Sequence, residues 1–121
     1  MARIRVIAQV SRRERNRRKR TLKISTTQER AIVPVAGDTI VLCSMGASNR
    51  SVSLRAIERR LEWGENGQEN YLILATGEYK HLVHLAIVCG WKVLAGHNSL
   101  STDQQSFVAC AEGACGDHQH T

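Results

Sequence analysis

The sequence predicts an α+β fold: a small antiparallel β-roll or SH3-like partial barrel of five to six strands with one α-helix in the C-terminal half. Short stretches rich in β-branched residues alternate with turn signals over most of the chain. A single stretch, residues 78–89, has helical periodicity instead. The chain has 121 residues, of which 42% are hydrophobic, so it suits one domain with a packed core.

Two strands are predicted near the N-terminus. Residues 3–10 begin with alternating polar and apolar side chains, and residues 21–25 are again β-formers. The basic run between them favours a strand–loop–strand hairpin, and a helical turn within that loop is the alternative. We expect residues 1–30 to form a basic arm or hairpin packed on a body, residues 31–96 a β-meander plus helix core, and residues 97–121 a polar tail.

The middle of the chain predicts a series of strands. Residues 31–35 contain Pro34, which has no ladder N–H, so they form an edge strand or an extended lead-in. A turn at residues 37–38 precedes a strand at 39–43. The apolar set shifts near residues 56–57, which indicates a β-bulge. The Asn66-Gly67 dipeptide then suits a type I′ turn between that strand and a returning one at residues 71–75.

The predicted helix has an apolar face, a favourable first residue and a stop signal. Glu78 suits the positive N-terminal end and Gly90 suits the C-terminal end. The expected apolar face consists of Tyr79, Leu82, Val83, Ala86 and Val88. Residues 91–94 predict a short last strand. Cys43 and Cys89 lie in apolar runs, which is typical of small core residues.

Charge is distributed very unevenly along the chain. Seven of the nine residues from 12 to 20 are Arg or Lys. Residues 1–30 contain eleven basic and two acidic side chains, a net of +9, whereas residues 31–121 contain six and nine, a net of −3. This asymmetry predicts either a polyanionic partner or an acidic protein surface that the basic segment contacts.

The basic run, with sequence SRRERNRRKR, resembles the arginine-rich RNA-binding motifs of lambdoid phage antiterminators and lentiviral export regulators. The resemblance covers about ten residues and implies binding to RNA hairpins, with folding upon binding. Arginine also contacts phosphate through two N–H groups at once, and packed cations release counterions on binding. Arg50, Arg55, Arg59 and Arg60 form a second basic set, in which Arg55 and Arg59 are four apart and share a face on a regular strand. This set can extend the phosphate contacts or form ordinary surface charge.

We therefore predict RNA or DNA as the partner. The predicted nucleic-acid-binding residues are Arg12, Arg13, Arg15, Arg17, Arg18, Lys19, Arg20, Arg55 and Arg59. The alternative is an oligomeric interaction or ligand-binding module, in which the basic arm docks on an acidic surface of a second subunit. A solvated basic loop with neither role also fits the charge run.

Metal binding is a weaker hypothesis. Cys110, Cys115, His118 and His120 are zinc-ligand types, but their spacing differs from that of a standard finger. His81 and His84 lie three apart on the predicted helix and can join His97 as ligands, although a solvated helix flank explains them as well. We expect no metal and no cofactor.

No nucleophile, phosphate-loop or metalloprotease motif is present, so an enzyme is not favoured. No apolar run approaches the ~18–20 residues of a membrane span. The charged N-terminus does not match a signal peptide, which predicts a cytoplasmic protein with reduced thiols and no membrane contact. The small size and the unusual tail suggest an accessory protein of a phage or mobile element.

Overall fold

The structure is a computed structural model, and it describes residues 2–13, 19–43, 51–97, 100, 102–105 and 108–110. These residues form seven strands and two helices. In chain order the elements are β1 (Ala2–Arg13), β2 (Lys19–Arg30), β3 (Thr39–Cys43), β4 (Ser51–Trp63), β5 (Glu69–Thr76), α1 (Tyr79–Ile87), β6 (Lys92–Ala95), α2 (Thr102–Gln105) and β7 (Ala109–Cys110). The described chain is thus mostly β-structure with one longer helix, which agrees with the predicted α+β class.

All seven strands belong to one mixed sheet with the order β3-β4-β5-β1-β2-β6-β7. Neighbours are antiparallel except for the pairs β1–β5 and β6–β7, which are parallel. The expected antiparallel meander is therefore wrong at β1, which lies between β2 and β5. The N-terminal hairpin forms the centre of the sheet because both edges of β1 are paired. In the described part of the chain β3 and β7 do not pair, so closure into a barrel is not confirmed.

The core lies on one face of the sheet, under α1. We call this side the covered face and the opposite side the open face. Helix α1 buries Leu82, Val83, Leu85 and Ala86. Its partners on the strands are Ile4, Val6, Ala8, Leu22, Ile24, Val52, Leu54, Ala56, Ile73, Ala75 and Val93. These residues alternate along each strand because successive side chains point to opposite faces, and the residues between them lie on the open face.

The helix is confirmed, with two differences at its C-terminal end. Leu85 is buried, whereas Val88 is 57% exposed. The reason is the helical period, which places residues 82, 85 and 86 on one side and residue 88 away from it. Cys89 is also exposed, so the prediction of a core residue there is wrong. The chain leaves the helix through Gly90, whose φ of 74° lets the Trp91 N–H donate to the Leu85 carbonyl.

The predicted β4–β5 hairpin is confirmed, but its turn differs. The Gly64 N–H donates to the Gln68 carbonyl at 2.8 Å, and the Gly67 N–H donates to the Gly64 carbonyl at 3.0 Å. Glu65 and Asn66 are therefore the central residues of the turn. Gly67 follows them with a φ of 73°, which is the geometry of a three-residue loop with a glycine bulge rather than a type I′ turn.

Among the remaining segments, β2 is much longer than the strand predicted at residues 21–25, and part of the predicted polar tail forms α2 and β7. Residues 31–38 form no strand and lead into β3, as expected for a segment that contains Pro34. Strand β3 has the predicted bounds, and β6 begins one residue later than expected. The side chain of Cys43 lies outside the described ones, so its predicted core position stays a prediction.

Candidate nucleic-acid interface

The N-terminal hairpin projects beyond the strands that flank it. β1 and β2 pair without a break from Ala2↔Arg30 to Arg13↔Lys19. On one side β5 pairs with β1 only as far as Ala8, and on the other side β6 pairs with β2 only over residues 23–25. Residues 10–13 and 19–22 thus form a two-stranded segment, which we call the ribbon. In the described part of the chain no third strand pairs with it.

Contacts at its base hold the ribbon in place. The Thr76 hydroxyl donates to the Gln9 carbonyl at 2.8 Å, and the hydroxyls of Ser11 and Thr21 lie 2.9 Å apart. Gly96 lies so close that a Cβ at this position would collide with the Thr21 carbonyl oxygen. Only glycine permits this approach. The ribbon therefore leaves the sheet from a fixed position.

Two arginines lie opposite each other on the ribbon. Arg12 pairs with Arg20 across the two strands, on the side that faces α1. The Arg12 guanidinium carbon lies 4.6 Å from the centroid of the Tyr79 ring, at the start of α1. A cation over an aromatic face at an exposed site contributes about 0.5–1 kcal/mol. Tyr79 thus orients one cation of the basic run.

The rest of the predicted basic site is described only in part. Arg13 and Lys19 are the last paired residues of the two strands, so their backbone position is known. Arg15, Arg17 and Arg18 lie outside the described residues, in the connection between β1 and β2. The two described ones, Arg13 and Lys19, follow the Arg12 and Arg20 pair at the distal end of the hairpin.

Arg55 and Arg59 do not share a face. The register of β4 shifts between Ala56 and Glu58, so the predicted bulge is present. Arg55 lies opposite Thr76 on the open face, whereas Arg59 lies on the covered face with its guanidinium carbon 5.7 Å from the centroid of the Tyr71 ring. The bulge therefore separates these two predicted site residues.

Arg3 and Arg5 were not among the predicted site residues, yet both are exposed on the open face of the central strand. They line a groove of about 470 Å³ together with Thr27, Glu62 and Asn70. Their alternation with Ile4 indicated which face they occupy. The sequence did not show which strands flank them, because the residues of β5 that pair with β1 lie 67 positions later in the chain.

No family model, curated protein or solved structure matches this chain. The fold and the ribbon must therefore be interpreted from their own geometry. Within the described residues, neither helix has the length and apolar character needed to cross a bilayer.

The described residues contain no cluster of three or more His, Cys, Asp or Glu side chains suited to a metal. His81 and His84 are half-buried on α1, and Nδ1 of His81 lies 3.3 Å from the Ser53 carbonyl oxygen. His97 is buried elsewhere, after β6. Of the predicted tail ligands, Cys110 is the last residue of β7, while Cys115, His118 and His120 lie outside the described residues.

A second cavity lies on the covered face. It has a volume of about 210 Å³ and is lined mainly by apolar residues, among them Ile4, Ile32 and Trp91. Gln28 and Arg30 are the polar residues of its described lining. This combination contains no acid–base pair, so the described cavity offers no arrangement for proton-transfer catalysis.

Proposed function

We propose that this chain is a non-enzymatic accessory protein of a phage or other mobile element, and that its ribbon binds the phosphates of RNA or DNA in the cytoplasm. The observation that supports the proposal is the location of the basic run. Its described residues, Arg12, Arg13, Lys19 and Arg20, occupy the distal end of a two-stranded ribbon that extends past its neighbouring strands, instead of lying along a packed strand. Seven of the nine residues from 12 to 20 are cationic.

The dimensions of the ribbon are compatible with a nucleic-acid groove. Four residues of each described strand extend the ribbon by roughly 13 Å, at about 3.3 Å per residue. A two-stranded ribbon fits the major groove of B-form DNA, which is about 12 Å wide. Cations on both strands then lie near the phosphates on either side of such a groove, and they also suit the backbone of a folded RNA.

Salt dependence tests this proposal directly. If five cations of the basic run each neutralise a phosphate, the slope of log K against log salt is about −3.5 for single strands and −4.5 for duplexes. The variant with Arg13→Gln and Lys19→Gln, the last paired residues of the ribbon, should bind more weakly, with a slope shallower by about 1.4 to 1.8. Fluorescence anisotropy with a labelled RNA hairpin and a labelled DNA duplex measures both quantities.

A matched control removes the same charge elsewhere. Arg30→Gln with Lys80→Gln also deletes two exposed cations, and neither residue belongs to the ribbon. We expect this control to keep the slope of the unmodified protein. An equal loss of affinity in both variants would show that binding follows net charge and not the ribbon.

The alternative function is an oligomeric module whose basic segment docks on an acidic surface of a second subunit. Two observations favour it. β3 lies at one end of the sheet and Val41 on it is 62% exposed. On β4, Trp63 is 72% exposed and Ile57 57% exposed, and such apolar surface favours protein contacts. In this case the Arg13 and Lys19 variant would lower the mass of the oligomer measured by light scattering and would have no nucleic-acid affinity to lose.

A further inference from the structure

The groove on the open face brings together residues from four neighbouring strands. Arg3 and Arg5 come from β1, Thr27 from β2, Glu62 from β4 and Asn70 from β5. The sheet register explains this arrangement, because Arg3 pairs with Asn70, Arg5 with Thr27 and Glu62 with Asn70. Directly opposite residues on one face have Cβ atoms about 4.5–5.5 Å apart, so their polar groups converge.

The two arginines of this groove have acidic neighbours: Glu29 lies directly opposite Arg3 on β2, and Glu62 lines the groove. In the described part of the chain, neither Arg3 nor Arg5 forms an ion pair within 4.0 Å. They are two residues apart on one strand, hence about 7 Å apart on the same face, where like charges repel. An anion between them offsets this repulsion and accepts hydrogen bonds from the N–H groups of both guanidinium groups.

The lining that β4 and β5 contribute includes two hydrogen-bond acceptors, beside Tyr71 and Leu72. Oδ1 of Asn70 is buried and has no hydrogen-bond partner. The carboxylate of Glu62 lines the same groove. A buried acceptor that stays unsatisfied costs about 1–3 kcal/mol, so a ligand that supplies an N–H or O–H donor here gains affinity. The groove therefore suits a ligand with an anionic group at one end and a donor at the other.

We propose that this groove binds one nucleotide unit. Arg3 and Arg5 hold its phosphate, while Asn70 and Glu62 accept hydrogen bonds from a sugar hydroxyl or a base amine. The unit can come from a free nucleotide or from a nucleic-acid strand. The second source rests on the proposed function, because one nucleic-acid strand would then contact both the ribbon and the groove. Arg5 in the groove and Arg13 in the ribbon lie on the same β-strand, roughly 26 Å apart at about 3.3 Å per residue.

Calorimetric titration with adenosine monophosphate, inorganic phosphate and adenosine separates the two ends of the groove. We expect the nucleotide to bind at least tenfold more tightly than either of the other two. The variant with Arg3→Gln and Arg5→Gln should lose this advantage and bind the nucleotide no better than adenosine. The variant with Arg30→Gln and Lys80→Gln, which removes the same charge from exposed positions outside the groove, should bind it like the unmodified protein.

Two results would overturn the inference. One is equal affinity for the nucleotide and for inorganic phosphate, and the other is unchanged nucleotide affinity in the Arg3 and Arg5 variant. Both are independent of the ribbon, whose test uses Arg13 and Lys19. If the protein binds the nucleotide as expected but the ribbon variant keeps its full nucleic-acid affinity, these two results together would support a free nucleotide as the ligand. If the Arg3 and Arg5 changes shorten the stretch of a bound oligonucleotide that the protein protects, this result would support a nucleic-acid strand as the ligand.

Discussion

Single residues of β4 show how one extra position redistributes charge. Before the bulge Arg55 lies on the open face, and after it Arg60 does so, while Arg59 lies on the covered face. Arg60 is held by Glu58, with Nε and Oε2 2.9 Å apart. The bulge could be predicted from the shift in the apolar pattern. The bulge also moves Arg59 to the face opposite Arg55. The predicted binding site did not take this into account, because a spacing of four residues puts Arg55 and Arg59 on one face only if the strand is regular.

Gly67 offers a test at the same scale. Its φ of 73° lies in the left-handed region, and a Cβ built at this position would meet nothing within 4 Å. The cost of a side chain is therefore conformational and not steric. We expect Gly67→Val to lower the free energy of unfolding by about 1–2 kcal/mol. Chemical denaturation measures it.

Gly67→Asn is the matched control, because asparagine tolerates the left-handed region better than valine does. Its loss of stability should be clearly smaller. Equal losses in the two variants would show that the positive φ is not what the turn requires.

At the scale of elements, local sequence patterns were sufficient for most of the structure. The helix, the strand at residues 39–43 and the β4–β5 hairpin depend on periodicity, propensity and turn residues that lie within a few positions of one another. The structure differs from the prediction where two residues fit the sequence pattern equally well and only packing decides which one is buried. Leu85 and Val88 are both apolar residues of one helical segment, and only the position of the sheet decides that Leu85 is the buried one.

Leu82 tests how α1 is attached to the sheet. This side chain is fully buried among the core residues of the strands. We expect Leu82→Ala to lower the free energy of unfolding by about 2–5 kcal/mol, the usual range for a large-to-small change in a core.

Val88→Ala, on the same segment, should change the stability by no more than about 0.5 kcal/mol, because its side chain is mostly in solvent. Thermal and urea denaturation of both variants measure the difference. A Leu82 variant as stable as the Val88 variant would contradict the burial of this face of the helix.

At the scale of the whole molecule, the order of the strands could not be predicted. Each strand is visible in its own residues, but the choice of neighbours depends on contacts between residues far apart in sequence. The parallel pairing of β1 with β5 is the main example, because adjacent strands in the chain were expected to pair. The groove beside Arg3 depends on that pairing, and so it could not be found from the sequence either.

Hydrogen exchange tests the strand order. β1 is paired on both edges, whereas β3 is paired only with β4 in the described part of the chain. We expect the amides of residues 4–8 to exchange most slowly and those of residues 39–43 much faster, because local opening is easiest at an edge. Equal protection in the two strands would mean that the outer edge of β3 is covered, as it would be in an oligomer.

The central position of β1 also affects how the chain is made in the cell. Arg3 pairs with Asn70, so β1 leaves the ribosome before its partner strand, whose paired residue is synthesised 67 residues later. At about 5–20 residues per second, this delay is roughly 3 to 13 seconds. During that time β2 can cover one edge of β1 while the other edge exposes unpaired backbone groups. Charged side chains discourage two such edges from joining, so Arg3 and Arg5 are well placed to keep the nascent hairpin from aggregating before β5 exists.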